Sequence, residues 1–406
     1  MHSHHNALGL ATAPSGTAFA AGIAMERPVQ PVTLIRPHAA RRAARFFIEK
    51  FPGRSLYAVK ANPSADLLRL LWDSGVTHYD VASIAEVRLV AETLPQAVIC
   101  FMHPVKAEEA IEQAYALGVR TFSLDTMDEL EKIMRATRNA EDLSLCVRLR
   151  VSSDHARLSL ASKFGAEPGE TKELLFAARQ AADALGICFH VGSQAMTPTA
   201  YAEAMERVRA AIVEAAVMVD IVDVGGGFPS VYPGMEPPPL EAYFDVIHKG
   251  FESLPISYSA ELWCEPGRAL CAEYASVLVR VEKRRGDELY INDGAYGALF
   301  DAAHIGWRFP VKLIREEPSK VRDMEFSFYG PTCDDLDHMA GPFVLPADVQ
   351  AGDYIEIGML GAYGCAMRTG FNGFGSDLKV VADDEPMASL YGAPEERVIP
   401  SNVVTL

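Results

Sequence analysis

Eight short apolar runs alternate with amphipathic segments between about residue 38 and residue 270. A short apolar run that ends in polar residues or glycine is typical of a buried strand, and apolar residues spaced by three and four predict a helix. The runs are SLYAVK, THYDVAS, AVICFM, RTFSLD, LSLCVRLR, GICFHVGS, IVDVGGG and SAELWCEPG. Eight strand–helix units predict an α/β fold, a closed parallel (β/α)8 barrel of the TIM type. A doubly wound open sheet uses the same alternation, but eight strands are many for one.

The pattern changes from about residue 271, where apolar and polar residues begin to alternate. SVLVRVEKRRGDELYIND is typical of two strands joined by a hairpin turn at Arg285-Gly286-Asp287, and PFVLPADVQAGDYIEIGML is similar. We therefore predict that residues 38–270 form the barrel. Residues 26–37 and 271–406 are predicted to form a second, mainly β domain.

The amino-acid composition restricts the binding partners and the cellular location that we expect for this protein. The chain has 406 residues, of which 49% are hydrophobic, and a formal net charge of −17, which disfavours nucleic acid and anionic membranes as partners. No segment is long and apolar enough to span a membrane. Seven cysteines without CxxC or metal-ligand spacing predict a cytoplasmic protein without a metal site. Residues 1–25, with His2, His4 and His5, lack the basic start of a signal peptide and are predicted to be a tag or a disordered tail.

Chemically reactive residues lie where the predicted strands end, and in such barrels this edge carries the active site. The strand ends carry Lys60, Asp80 with Ser83, His103, Asp125, Arg148, His190 with Ser193, Gly225-Gly226-Gly227, and Glu265 with Arg268. Taken alone, each of these residues could have a purely structural role, as in a tight glycine loop or a histidine packed in the core. Lys60 is the most unusual, because a lysine that closes a buried apolar run loses hydration unless it is paired or used chemically.

Together these residues suit one cofactor, pyridoxal phosphate. A desolvated lysine loses its proton more readily and can then form a Schiff base with an aldehyde. A carboxylate such as Glu265 keeps a pyridine nitrogen protonated, and His190 can stack on the ring. Backbone N–H groups of the glycine run, with Ser193 and Arg268, can bind a phosphate. The GxGxxG spacing of a dinucleotide site is missing.

Ten segments in sequence order also carry a resemblance to a known family: YAVKAN, DVASIAEV, VRLRVSSD, KFGA, FHVGSQ, DVGGGFP, EPGR, NDGAYG, YGPTCDDLD and LGAYG. From the Lys60 strand to the C-terminus, the chain resembles the fold-type III pyridoxal-phosphate decarboxylases, which join an alanine-racemase-like barrel to a β domain. Within them it is similar to the ornithine decarboxylases and their bacterial lysine/ornithine relatives. The resemblance implies decarboxylation of L-ornithine to putrescine in polyamine biosynthesis, with L-lysine to cadaverine as a second reaction.

The resemblance also implies roles for residues of the predicted barrel. Lys60 would hold the cofactor, His190 would stack on its ring, and Glu265 would contact the pyridine nitrogen. Asp80, Glu86 and Arg148 would orient the lysine and the ring. The phosphate would be bound by Ser193, Gly225, Gly226, Gly227, Gly267 and Arg268, and by Tyr363 from the β domain.

Four residues of the predicted β domain complete the implied site. Cys333 would protonate the carbon that has lost carbon dioxide, and Asp334, with Asp301 and Tyr296, would bind the distal amine of a cationic amino acid. The resemblance implies that these residues come from the second subunit of a head-to-tail homodimer. The segment after NDGAYGALF is shorter than in the animal enzymes, so the alignment of Asp301 and the substrate length stay open.

Three alternatives remain. HVGSQ also occurs in the diaminopimelate decarboxylases, which usually have CES where this chain has Cys333-Asp334-Asp335. An amino-acid racemase of the same fold needs a tyrosine base and usually has arginine in the place of Glu265. A decarboxylase-like regulator without catalysis would not need Lys60, Cys333 and Asp334, all of which are present.

Overall fold

The computed structural model describes residues 18–152, 154–160 and 162–392. The described chain divides into two compact units. The barrel unit comprises residues 40–272 and 388–392, and the sheet unit comprises residues 18–39 and 273–387. The division falls close to the predicted limits, but residues 388–392 group with the barrel and not with the β domain.

The first two elements belong to the sheet unit. They are helix α1 (Ala18–Met25) and strand β1 (Val32–Ile35). Ala20 of α1 is 1% exposed and packs in a cluster with Val32 and Leu34 of β1. The structure thus differs from the predicted tail at residues 18–25, because α1 buries Ala20 against the sheet and packs Phe19 and Ile23 partly buried beside it. Residues 1–17, including the three histidines, lie outside the described residues.

Parallel strands and helices alternate through the barrel unit. The barrel strands are β2 (Arg54–Ala58), β3 (His78–Val81), β4 (Val98–Phe101), β5 (Thr121–Leu124), β6 (Ser144–Arg148), β8 (Ala184–Cys188), β10 (Ile221–Asp223) and β11 (Glu261–Cys264). Two further short strands, β7 (Ala156–Leu158) and β9 (Ser193–Ala195), pair with each other outside the barrel. The helices are α2 (Pro37–Lys50), α3 (Ala65–Asp73), α4 (Ile84–Thr93), α5 (Glu108–Ala116), α6 (Met127–Ala136), α7 (Pro168–Ala181), α8 (Thr199–Ala215), α9 (Leu240–Glu252) and α10 (Arg268–Cys271). Within the described ranges, no helix has the length and apolar character needed to cross a bilayer.

The eight strands close in the order β10-β11-β2-β3-β4-β5-β6-β8, which confirms the predicted barrel. Ala58 pairs with Asp80, and Asp80 pairs with Cys100, so the strand ends lie side by side along one rim. Every residue of β3 and β5 is buried. The last four residues of β2 (SLYA) and of β8 (LGIC) are buried as well, and burial on both faces explains why these segments are mostly apolar in the sequence.

The sheet unit is built on one eight-stranded sheet, which confirms the predicted mainly β domain. Besides β1, its strands are β12 (Ala275–Arg285), β13 (Glu288–Ile291), β14 (Val311–Ile314), β15 (Asp323–Tyr329), β16 (His338–Pro346), β17 (Tyr354–Ile357) and β18 (Lys379–Val381), and helix α11 (Phe300–His304) lies between β13 and β14 in the chain. The order is β14-β17-β12-β13-β15-β16, and β1 pairs with both β12 and β18. Strands β12 and β13 form the predicted hairpin, with Gly286 in its turn at φ +61°.

Candidate active site

Lys60 lies on the rim of the barrel immediately after β2. Strand β2 ends at Ala58, and Val59–Ala61 form a single 3-10 turn that moves Lys60 out of the line of the strand. Its Nζ atom is 2.7 Å from Oδ2 of Asp80, at the end of the neighbouring strand. The Asp80 side chain is 2% exposed, whereas that of Lys60 is 42% exposed. The expected desolvated lysine is therefore a half-exposed lysine held by a buried carboxylate.

Ser83 and Glu86 cap helix α4 beside this ion pair. Ser83 Oγ accepts the Glu86 N–H at 3.2 Å, and Glu86 Oε2 accepts the Ala82 N–H at 2.7 Å. This exchange satisfies backbone donors at the helix start. Burial raises the pKa of Glu86, and the nearby charge of Lys60 opposes that rise. Glu86 thus lies within electrostatic reach of Lys60, as its implied orienting role requires.

His190 follows β8 and lies against the glycine run. Its Nδ1 atom accepts the Gly192 N–H at 3.0 Å, so the neutral ring carries its proton on Nε2. A Cβ atom on Gly226 would lie 3.0 Å from that Nε2. Burial lowers the pKa of His190 well below its ordinary value, and the charges of Arg148 and Lys60 lower it further. At neutral pH, His190 is therefore a flat, uncharged surface beside Gly226.

The glycine run makes backbone approaches that only glycine permits. Gly225 has φ +68°, and a Cβ there would lie 2.0 Å from the carbonyl oxygen of Phe189. Gly227 has φ +107°, and a Cβ there would lie 2.5 Å from the carbonyl oxygen of Gly192. The run is thus a closely packed loop in which a side chain at either position would collide with neighbouring backbone, so glycine is required there.

Two buried carboxyl groups lie under this loop, and sequence analysis assigned a role to only one of them. Asp223 ends β10 and is fully buried; its Oδ1 accepts the Gly225 N–H at 2.8 Å. Its Oδ2 has no hydrogen-bond partner within the described residues. Glu265 follows β11, and its N–H donates to the Gly225 carbonyl oxygen at 2.9 Å. An acidic residue at the end of a wholly apolar strand is the sequence signal that could have identified Asp223.

Burial is the main reason why both carboxyl groups have raised pKa values. Burial raises the pKa of Asp223 to about 6. Burial also raises the pKa of Glu265 well above its ordinary value, and the negative charge of Asp223 raises it further. A buried carboxyl pair of this kind is stabilised by a cation, such as a protonated ring nitrogen, placed next to it.

The remaining residues implied for the phosphate site lie in both units. In the barrel unit, Arg268 is 5% exposed and donates from Nη1 to the Tyr232 hydroxyl at 3.1 Å. Gly267 packs tightly beside the Lys60 turn, because a Cβ there would lie 3.1 Å from that of Ala61. Ser193 begins β9. Tyr363 belongs to the sheet unit and has a left-handed backbone with φ +61°.

Arg148 ends β6 and lies under the KFGA segment. Its guanidinium carbon is 5.4 Å from the centre of the Phe164 ring, and the His103 ring meets Phe164 edge-on at 5.0 Å. The next residue, Gly165, donates its N–H to Asp125 Oδ2 at 2.8 Å. The ends of β4, β5 and β6 therefore hold this segment on the rim, a function that sequence analysis had not assigned to His103 or Asp125.

Cys333 and Asp334 line a cavity of about 940 Å³ in the sheet unit. Cys333 is exposed, and its Sγ donates to Asn372 Oδ1 at 3.3 Å. Asp334 accepts a hydrogen bond from the Tyr296 hydroxyl, which lowers the pKa of Asp334 and keeps it ionised. Asp301 lies on α11 and is not among the residues that line this cavity.

Both compact units are similar in sequence to domains of one known protein family. Residues 37–272 match the pyridoxal binding domain of the pyridoxal-dependent decarboxylases, and residues 270–361 match their C-terminal sheet domain. The chain is 32% identical over 339 residues to a lysine/ornithine decarboxylase of Selenomonas ruminantium, covering 81% of this chain and 84% of that one.

Two solved structures share the fold. The arginine decarboxylase of Paramecium bursaria Chlorella virus has a TM-score of 0.81 and 27% identity, over 90% of this chain and 100% of that one. A lysine/ornithine decarboxylase of Vibrio vulnificus complexed with cadaverine has a TM-score of 0.75 and 28% identity, over 89% of this chain and 97% of that one.

The site itself fits the cofactor of this family. Lys60 is accessible on the rim, the glycine loop brings its backbone close to His190, and the buried Oδ2 of Asp223 has no hydrogen-bond partner within the described residues. These are the groups that an aldehyde, a phosphate and a protonated pyridine nitrogen require. The chain therefore belongs to the pyridoxal-dependent decarboxylases, amino-acid decarboxylases whose cofactor is pyridoxal phosphate.

Proposed function

We propose that this enzyme decarboxylates L-ornithine to putrescine, with L-lysine to cadaverine as a second reaction. The observation that carries the proposal is the ionised carboxylate of Asp334, beside Cys333 on the wall of the sheet-unit cavity. A distal ammonium group left without an anion in a closed site would cost several kcal/mol. The similarity to a lysine/ornithine decarboxylase supports the same substrate class.

The cofactor supplies an electron sink for the bond that breaks when the carboxylate leaves as carbon dioxide. Lys60 would hold the cofactor, and Asp80 positions the Lys60 ammonium on the rim. Glu265, together with Asp223, would keep the ring nitrogen protonated. His190 would contact the ring without adding a positive charge.

The phosphate would be bound by the glycine loop with Ser193, Gly267 and Arg268, and the family resemblance adds Tyr363 to this set. The Gly225 N–H already donates to Asp223, so Gly225 serves chiefly to shape the loop. Arg148, fixed under Phe164, orients the ring.

Cys333 then protonates the substrate carbon. Its S–H bond breaks as the new C–H bond forms, and the sulfur afterwards regains a proton from water. Asp334, which accepts the Tyr296 hydroxyl, would hold the distal ammonium during this step.

We further propose a head-to-tail homodimer in which Cys333 and Asp334 of one chain complete the Lys60 site of the other. Lys60 and Cys333 belong to different compact units, which is consistent with this arrangement. Lys60→Ala and Cys333→Ala chains should each be inactive, and mixing them should restore about one quarter of the wild-type sites, because half of the dimers are mixed and carry one intact site. No recovery on mixing would reject shared sites.

Product analysis by mass spectrometry tests the substrate. The enzyme, loaded with pyridoxal phosphate, is given ornithine, lysine, arginine and diaminopimelate in competition. Putrescine as the main product supports the proposal, and comparable cadaverine indicates a dual enzyme. A main product of lysine from diaminopimelate, or D-amino acids without decarboxylation, would reject it.

Arginine is the second candidate substrate, favoured by the similarity to the viral arginine decarboxylase. The planar guanidinium of arginine can bind a carboxylate such as Asp334 through two hydrogen bonds. Agmatine as the main product of the competition assay would select this alternative.

We propose a cytoplasmic location, with putrescine serving polyamine biosynthesis. Five of the seven cysteines are buried. Free thiols suit a reducing compartment, and the proposed role of Cys333 requires a reduced thiol.

A further inference from the structure

We propose that Asn372 is a positioning residue for the thiol of Cys333. The Cys333 N–H and Sγ–H both donate to Oδ1 of Asn372, at 3.2 and 3.3 Å. A single amide oxygen therefore fixes both the backbone and the side chain of Cys333. The inference rests on the proposed function, in which this thiol delivers a proton to the substrate.

The backbone around Asn372 is shaped to present its side chain. Asn372 has φ +54° and ψ +11°, a left-handed conformation that asparagine adopts more readily than most residues. Gly373 follows with φ +73°. Phe371 donates its N–H to Thr369 Oγ1 at 3.3 Å, and Thr369 donates its own N–H to the Tyr296 carbonyl oxygen at 2.9 Å. The turn is thus fastened to the backbone of a residue implied in substrate binding.

A continuous series of contacts links the implied proton donor, Cys333, to the implied ligand of the distal amine, Asp334. The Phe371 ring packs against the Tyr296 ring, with 4.9 Å between the centroids. The Tyr296 hydroxyl donates to Asp334, which is the neighbour of Cys333 in the sequence, and Cys333 donates to Asn372. The same set of contacts therefore positions both Cys333, the implied proton donor, and Asp334, the implied ligand of the distal amine. Within this set, Asn372 accepts from the Cys333 thiol, whereas Asp334 accepts from Tyr296.

This placement predicts an effect on proton delivery alone. At rest, the S–H bond points to Asn372; during turnover, the thiol turns to the substrate carbon, and the sulfur returns to Asn372 after it has regained a proton from water. Without the amide, the thiol samples several orientations and reaches the productive one less often. The chemical step slows, while distal binding through Asp334 is preserved.

The test uses the full-length enzyme loaded with pyridoxal phosphate and the variants Asn372→Gly and Asn372→Asp. Glycine removes the amide yet adopts the left-handed backbone without strain, and aspartate keeps an acceptor in the same place. We expect kcat of Asn372→Gly to fall about tenfold, the value of one hydrogen bond, with KM within about twofold. Alkylation of Cys333 by iodoacetamide, measured by peptide mass spectrometry against the other exposed cysteine, Cys365, should rise several-fold. Asn372→Asp should alkylate no faster than wild type and should recover most of kcat.

Asn139→Gly is the matched control, because Asn139 is exposed in the barrel unit and also has a left-handed backbone, at φ +55°. It should leave both measurements unchanged. Wild-type alkylation and kcat in Asn372→Gly would overturn the inference. If Asn372→Gly fails to fold, Asn372→Asp decides: protected Cys333 supports the inference, and freely alkylated Cys333 in a folded protein overturns it.

Cys333→Ala separates this inference from the proposed function. If that variant keeps full turnover, Cys333 is not the proton donor, and the proposed mechanism fails whatever Asn372 does. If it loses turnover while Asn372→Gly matches wild type in both measurements, the positioning role alone fails.

Discussion

Lys60 and Asp80 form an ion pair of which only the carboxylate is buried. The Nζ and Oδ2 atoms are 2.7 Å apart, and the two side chains are 42% and 2% exposed. Asp80 is the third of the four residues of β3, so the sheet fixes its position and the flexible Lys60 side chain reaches to it. A buried carboxylate without a cation is costly, and Lys60 therefore has a defined resting place on the rim.

Asp80→Asn should slow the reaction without abolishing cofactor binding. The amide can still accept a hydrogen bond from Lys60, but the charge-assisted part of the contact is lost, so we expect kcat/KM to fall about 10- to 100-fold. Steady-state kinetics and an absorbance titration with pyridoxal phosphate measure the two effects. A kcat/KM equal to that of wild type would show that the ion pair does not serve turnover.

The buried Asp223–Glu265 pair should make the cofactor-free protein less stable as pH rises. The folded-state pKa of Asp223 is about 6, above the value of about 3.9 for an unfolded aspartate. Between these values the folded state binds more protons, so the free energy of unfolding falls with rising pH, and the loss is complete above pH 6. The loss amounts to roughly 3 kcal/mol.

Asp223→Asn should remove that loss, because asparagine keeps Oδ1 as acceptor for the Gly225 N–H without carrying charge. Thermal scans of the cofactor-free protein should show a higher Tm than wild type at about pH 7.5, and the difference should shrink toward pH 4. A variant less stable than wild type at both pH values would contradict the assignment of an unfavourable buried charge.

Gly225→Ala should disrupt the glycine loop far more than a matched substitution elsewhere. Gly118 also has a positive φ, +95°, but nothing lies within 4 Å of its Cβ position, so Gly118→Ala should cost only about 1–2 kcal/mol of backbone strain. At Gly225, the Cβ would in addition lie 2.0 Å from a carbonyl oxygen, and the backbone must move. Tm and retention of pyridoxal phosphate on gel filtration compare the variants. Equal losses in both would mean that the loop tolerates a side chain.

Asp125→Ala should release the KFGA segment from the rim. The carboxylate accepts the Gly165 N–H at 2.8 Å, and Lys163, two residues earlier, is exposed to trypsin. We expect cleavage after Lys163 to be several-fold faster in the alanine variant, as measured by peptide mass spectrometry over time. Asp125→Asn, which keeps an acceptor oxygen, should be cleaved nearly as slowly as wild type. Unchanged cleavage in Asp125→Ala would show that other contacts hold the segment.

Periodicity was sufficient to predict the barrel and the residues on its rim. Eight apolar runs separated by amphipathic helices leave few other folds, and the carboxyl ends of parallel strands all lie on one edge. For this reason the strand ends predict that Lys60, Asp80, His190 and Glu265 lie on one rim. The period-two alternation after residue 271 likewise predicted the second domain and its hairpin at Gly286.

Burial and pairing of these side chains arise only in the folded chain. A single turn after β2 makes Lys60 half-exposed, and Asp223 is buried at the end of β10 with no hydrogen-bond partner for its Oδ2 within the described residues. The contact between Cys333 and Asn372 joins residues 39 positions apart. Burial, charge coupling and such contacts depend on distances through space between remote segments, and strand or helix periodicity carries no information about those distances.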